Sequence, residues 1–99
     1  MKFKNVFVVC NKSTTIVDGM VLTVDCDVCD FGYTKMEDAI AKVSELSDAK
    51  MNEYLDEVDE GKCYRDSSSS NDWQMVTVNN DTYEYWVKTV AIPLDFFAV

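Results

Sequence analysis

Ninety-nine residues, 47% of them apolar and 12% aromatic, supply one domain with one modest core. Eighteen Asp and Glu against nine Lys and Arg leave a formal net charge of −9 and a pI near 4.2, beyond the magnitude of roughly 2–8 that solubility asks of a small domain. That charge repels phosphate backbones and anionic lipid head groups, so it argues against direct nucleic-acid or membrane binding and favours basic partners.

Lys2–Cys10 reads as a first strand rich in Phe and Val. Its apolar run, Val6 to Cys10, ends at Asn11 and Lys12 and is shorter than the ~7–15 residues of a signal-peptide core. A cytoplasmic protein is therefore expected. Asn11-Lys12-Ser13 reads as a turn. Thr14–Val17 and Met20–Val28 then flank Asp18-Gly19, the dipeptide that type I′ hairpins favour because both central residues need positive φ. A short hairpin or a bulge in one longer strand both fit it.

Thr34-x-x-Glu37 has the form of a capping box and opens a helix. The apolar stripe that follows is Met36, Ile40, Val43, Met51, Tyr54 and Val58, with Ala39, Leu46 and Leu55 at its margins. Gly61 is a suitable stop. Ser47-Asp48 interrupts the stripe without changing its phase, so one helix is predicted rather than two. Arg65–Asp72, with four consecutive serines, reads as a loop.

Trp73–Val78 and Tyr83–Ile92 form two further strands joined through Asn79-Asn80-Asp81, and Pro93 ends the second. A short apolar tail follows: Leu94, Phe96, Phe97, Ala98 and Val99. The last strand is apolar on both sides, with Tyr83, Tyr85 and Val87 on one and Trp86, Val90 and Ile92 on the other. One predicted helix covers one face only. The second face then needs a homodimer partner, or long loops and the Phe96-Phe97 tail. The chain thus reads as a single domain over residues 1–99. Its class is α+β, an antiparallel sheet of about four to five strands with one long amphipathic helix on one face, in the order ββ(β)αββ.

The chemistry-bearing residues exclude more than they suggest. Without histidine, no Ser–His or Cys–His nucleophile pair and no imidazole base can be built. Zinc would need all four cysteines, Cys10, Cys26, Cys29 and Cys63, and only Cys26-x-x-Cys29 has finger spacing. Leu22, Val24, Cys26 and Val28 alternate with Thr23, Asp25 and Asp27 as on a strand, where residues three apart point to opposite faces. Asp25, Asp27 and Asp30 would also raise a thiol pKa, contrary to a redox motif. Structural cysteines are expected.

Gly19, Gly32 and Gly61 stand too far apart for a phosphate loop. Asp25 to Asp30 fails as a calcium loop, with Cys29 at its fifth position, Asp30 in place of the glycine and Met36 in place of the closing glutamate. No enzyme, cofactor or metal is expected.

What remains is charge. On a helical wheel at ~100° per residue, Asp38, Glu45, Glu53, Asp56, Glu57 and Glu60 fall together opposite the apolar stripe, with Lys42 among them. At ~1.5 Å per residue the row would run about 33 Å, and carboxylates so spaced can imitate phosphates. A solvated helix face explains most such runs. Against it stand the like-charge pairs Glu53/Glu57 and Asp56/Glu60, each destabilising by roughly 0.2–0.5 kcal/mol. Glu57, Asp59 and Glu60 also lie at the predicted helix's C-terminal end, where the macrodipole prefers cations. Asp25, Asp27 and Asp30 would extend the patch if their strand lies nearby.

A small acidic helix-and-sheet protein without a catalytic signature resembles phage-encoded inhibitors of bacterial defence, among them anti-CRISPR and DNA-mimic antirestriction proteins. The likeness is one of composition and carries over no residue. It implies an inhibitor whose acidic helix face occupies a basic surface of a nucleic-acid-binding protein. The alternative is a homo-oligomeric structural or adaptor protein that assembles through its aromatic C-terminal strand.

Overall fold

The computed structural model describes residues 2–94, the side chains of residues 22–31 excepted. In chain order the elements are β1 (Phe3–Val17), β2 (Met20–Tyr33), α1 (Met36–Glu53), α2 (Leu55–Asp59), β3 (Cys63–Ser67), β4 (Trp73–Val78) and β5 (Asp81–Pro93). The strands form one antiparallel five-stranded sheet in the order β2-β1-β5-β4-β3, and the helices pack on one of its faces. The α+β reading therefore holds.

Four local features differ from the sequence reading. No turn falls at Asn11–Ser13: β1 is one 15-residue strand. Each of the three polar residues is half-buried and paired on both sides, as Lys12 is with Cys26 and Glu84. Central position in the sheet overrides their turn preference. The hairpin turn is Asp18-Gly19, with φ of 52° and 75°, and Val17 pairs directly with Met20 across it.

The capping box is not formed. The helix is capped by Lys35 in extended conformation, with no side-chain cap hydrogen bond, one residue past the threonine that the pattern requires. The helix also breaks, at Tyr54 rather than at Ser47-Asp48. Tyr54 takes φ −126° and ψ 42°, and its N–H donates to the Met51 carbonyl at 3.1 Å. Its ring meanwhile stacks on Tyr83 with centroids 6.5 Å apart. The one-turn α2 that follows ends at Gly61, φ 75°. There the Gly61 and Lys62 amides donate to the Val58 and Glu57 carbonyls at 3.0 and 2.7 Å, a complete Schellman closure. Finally, Cys63–Ser67, expected to run into a loop, is the edge strand β3.

The core lies between sheet and helices in two clusters. Val9, Ala39, Val43 and Tyr85 form one, with Phe7, Tyr33, Leu46, Tyr83 and Val87 against it. Cys63, Val76 and Val78 form the other, under Met51, Tyr54 and Val58. Tyr83, Tyr85 and Val87 thus share the helix side of β5, as the alternation predicts. On the other side Trp73, Trp86 and Cys10 stand in one register row across β4, β5 and β1. The Trp73 indole N–H donates to Glu84 at 3.1 Å. The Phe96-Phe97 tail expected to cover that side lies outside the described residues.

Candidate protein-binding face

Ala39, Val43 and Ser47, spaced by four, are the buried face of α1. Their burial turns the opposite side of the helix to solvent, where Asp38, Glu45 and Glu53 are exposed. Beyond the break, Asp56 and Glu60 are exposed and Glu57 is half-buried. Glu57 belongs less to the outer row than to the sheet side, because its carboxylate lies close enough to Cys63 to raise that thiol. The expected single row is therefore two groups: Asp38, Glu45 and Glu53 on α1, and Asp56, Glu57 and Glu60 on α2 and its cap.

The break also changes the energetics. Asp56 and Glu57 now sit in the first turn of a helix, where the dipole favours anions. Glu53, now the last residue of α1, and Asp59 and Glu60 at the close of α2 stand at unfavourable C-terminal ends, and no basic residue stands in the last turn of α2.

The lysines of this face do not offset its charge evenly. Lys42 pairs with Glu45 at 3.4 Å and Lys50 with Glu53 at 3.1 Å. The Lys42 and Lys50 side chains are 16% and 22% exposed, whereas Glu45 and Glu53 are 68% and 57% exposed. The Lys50 ammonium lies 4.4 Å from the centroid of the Tyr83 ring, a cation–π contact that draws it inward. The Tyr83 hydroxyl itself is pushed up, first by hydrogen bonding with Tyr54, then by burial, then by nearby charge that includes Asp81 and Glu53. The cations lie down against the protein and the carboxylates stand out from it. Lys62 pairs with Glu60 at 3.0 Å in the open, 60% against 58% exposed.

A second polar constellation escaped the sequence reading. Arg65, the chain's one arginine, reaches from β3 to α1, where it donates to the fully buried Ser47 hydroxyl at 3.1 Å and pairs with Asp48. Beside it the buried Gln74 amide donates to Ser44 at 2.8 Å and to the Asn71 carbonyl at 3.3 Å. Ser44, Asp48, Arg65, Asn71 and Gln74 line a polar cleft of about 290 Å³. The available signals were Gln74 on the inward face of β4 and Ser47 at a stripe position of α1. The bonds close on one another, so the cleft acts as a clamp between helix and edge strand.

Cys10 and Cys63 are buried, and the Cys63 Sγ lies 3.6 Å from the Met51 Sδ. The side chains of Cys26, Cys29, Asp25, Asp27 and Asp30 lie outside the described residues. Among the described residues no group of three or more His, Cys, Asp or Glu is placed to hold a metal ion, and no helix is long and apolar enough to cross a membrane. No protein-family model, curated protein or solved structure matches the chain.

Proposed function

We propose that the protein is a binding inhibitor whose acidic helical face occupies a basic, nucleic-acid-binding surface of another protein. The supporting observation is the polarity of the ion pairs: inward lysines, 16% and 22% exposed, beneath outward carboxylates, 68% and 57% exposed. A partner approaching α1 meets anions first. Charge of this kind speeds encounter and makes it salt-sensitive more than it adds affinity. The compositional likeness to phage-encoded anti-defence inhibitors, including DNA mimics, agrees with this reading.

The test is an affinity capture from a bacterial lysate freed of nucleic acid, eluted with a salt gradient. The expected result is a basic nucleic-acid-binding protein that moderate salt releases. A variant carrying Glu53→Lys, Asp56→Lys, Glu57→Lys and Glu60→Lys should retain its fold and lose that partner. Undiminished capture by the variant would sink the proposal. A second reading, a homo-oligomer assembled through the Trp73–Trp86 side of the sheet, rests on the helices packing on the opposite face. A light-scattering mass of one chain at high concentration rules against it.

A further inference from the structure

The tip of the β1–β2 hairpin is apolar on both sides. Val17 pairs with Met20 and Ile16 with Val21 on successive rungs, which point to opposite faces of the ribbon. Met20 is 66% exposed, Val21 58%, Val17 42% and Ile16 37%. Exposed strand ends are ordinarily guarded by charge, and four contiguous apolar side chains at a solvent-facing tip mark a contact surface. Asp18 alone carries charge there.

The finger is tied to the acidic end of the helical layer. The Ile16 amide donates to the Asn80 carbonyl at 3.0 Å, and the Asn79 amide donates to the Lys62 carbonyl at 3.0 Å. The Asn79–Asn80 turn therefore links the hairpin tip to the segment that closes α2, where Asp56, Asp59 and Glu60 are exposed. Asp81, opposite Thr15 in the ladder, lies between them.

We infer that the finger of Ile16, Val17, Met20 and Val21 docks a cationic amphipathic segment of a partner protein. Its apolar side chains seat on Val17 and Met20, and its Lys or Arg side chains meet the carboxylates of α2. The charge complementarity selects this occupant. A second copy would bring two acidic ends together, and the net charge of −9 repels an anionic lipid surface. The inference rests on the acidic-face reading and adds to it an apolar anchor that salt does not weaken.

Two synthetic probes separate the parts: a helical Lys/Leu peptide, and a peptide of equal length and charge with each Leu replaced by Ser. Fluorescence anisotropy of each is followed against the wild-type chain and against Val17→Thr/Met20→Thr. Wild type should bind the Lys/Leu peptide about 10-fold more tightly than the Lys/Ser peptide. The double variant should erase that gap while leaving Lys/Ser affinity unchanged. Met20→Gln, which keeps the side-chain length, should narrow the gap by itself, so the result does not hang on the fold of one variant. Equal affinities in wild type, or a gap that survives the variants, overturn the finger and leave the acidic face standing. Binding of neither peptide overturns both. A light-scattering mass of two chains in wild type and one in the double variant would show a second copy on the finger, and also overturns the inference.

Discussion

α1 and α2 are consecutive stretches of one amphipathic pattern, yet they are held in different ways. α1 runs 18 residues with Ala39, Val43 and Ser47 buried, and ion pairs join two of its lysines to its glutamates. α2 runs five residues, none of them buried, and carries Asp56, Glu57 and Asp59. It is kept in place by its Schellman closure and by Tyr54 and Val58 against the Cys63 cluster. The charge is densest where packing contributes least. Acidic residues there can be exchanged with little effect on the fold, which is what a surface specialised for contact requires.

The largest break in that comparison should come from Val43→Ala. Val43 is fully buried between helix and sheet, and removing two methyl groups there should cost about 2 kcal/mol, transfer and cavity terms together. For a domain of this size that lowers the melting temperature by roughly 8–16 °C. Leu55→Ser, at a side chain 56% exposed on α2, should stay within about 0.5 kcal/mol of wild type. Urea unfolding of the two variants measures both. Equal losses would show that α2 is as deeply integrated as α1.

Elements whose cause is local were legible in the sequence. Asp18-Gly19 narrowed its segment to a hairpin or a bulge, and two positive-φ residues in a row with Val17 paired to Met20 make it a hairpin in the structure. The alternation of Tyr83, Tyr85 and Val87 against Trp86 sorted β5 into its two sides, and the packing of α1 makes the first of them the inward one. What escaped was decided elsewhere in the fold. The break at Tyr54 leaves the apolar phase intact, since Met51, Tyr54 and Val58 all still face the Cys63 cluster, so periodicity is blind to it. In β3 only Cys63 is buried and the other four residues are exposed, so no alternation of apolar residues marked it as a strand. Asn11–Ser13 is polar in sequence but central in the sheet. Of the candidate face, the outward carboxylates were visible on the wheel. The inward placement of Lys42 and Lys50 was not, because it depends on the Tyr83 ring and the sheet beneath.

A smaller effect, of opposite sign, sharpens the comparison. Asp59 is exposed at the end of α2, where a helix prefers a cation. Asp59→Lys should stabilise the protein by about 0.5 kcal/mol at low ionic strength. The gain should fade at ~1 M salt, where the Debye length falls to about 3 Å. Thermal melts at the two salt concentrations read it directly. A loss at low salt would mean that Asp59 has a partner within the fold that outweighs the dipole.

The smallest effect tests whether α2 sits over β3 as described. Burial pushes the Cys63 thiol up, and the Glu57 carboxylate adds to it. Because the folded value lies above the unfolded one, the neutral thiol's contribution to stability is present below the ordinary thiol range, ~8.5. It is lost as pH rises through the folded value. Glu57→Gln removes the second cause and leaves the first. In a chain whose one remaining cysteine is Cys63, the pH profile of disulfide-reagent reaction should move to lower pH in Glu57→Gln and still lie above that of the unfolded chain. An unmoved profile would place Glu57 away from the thiol and detach α2 from the edge strand. A profile that fell all the way to the unfolded position would make the carboxylate, rather than burial under Met51, Tyr54 and Val58, the main cause. The packing that distinguishes this end of the molecule would then be electrostatic after all.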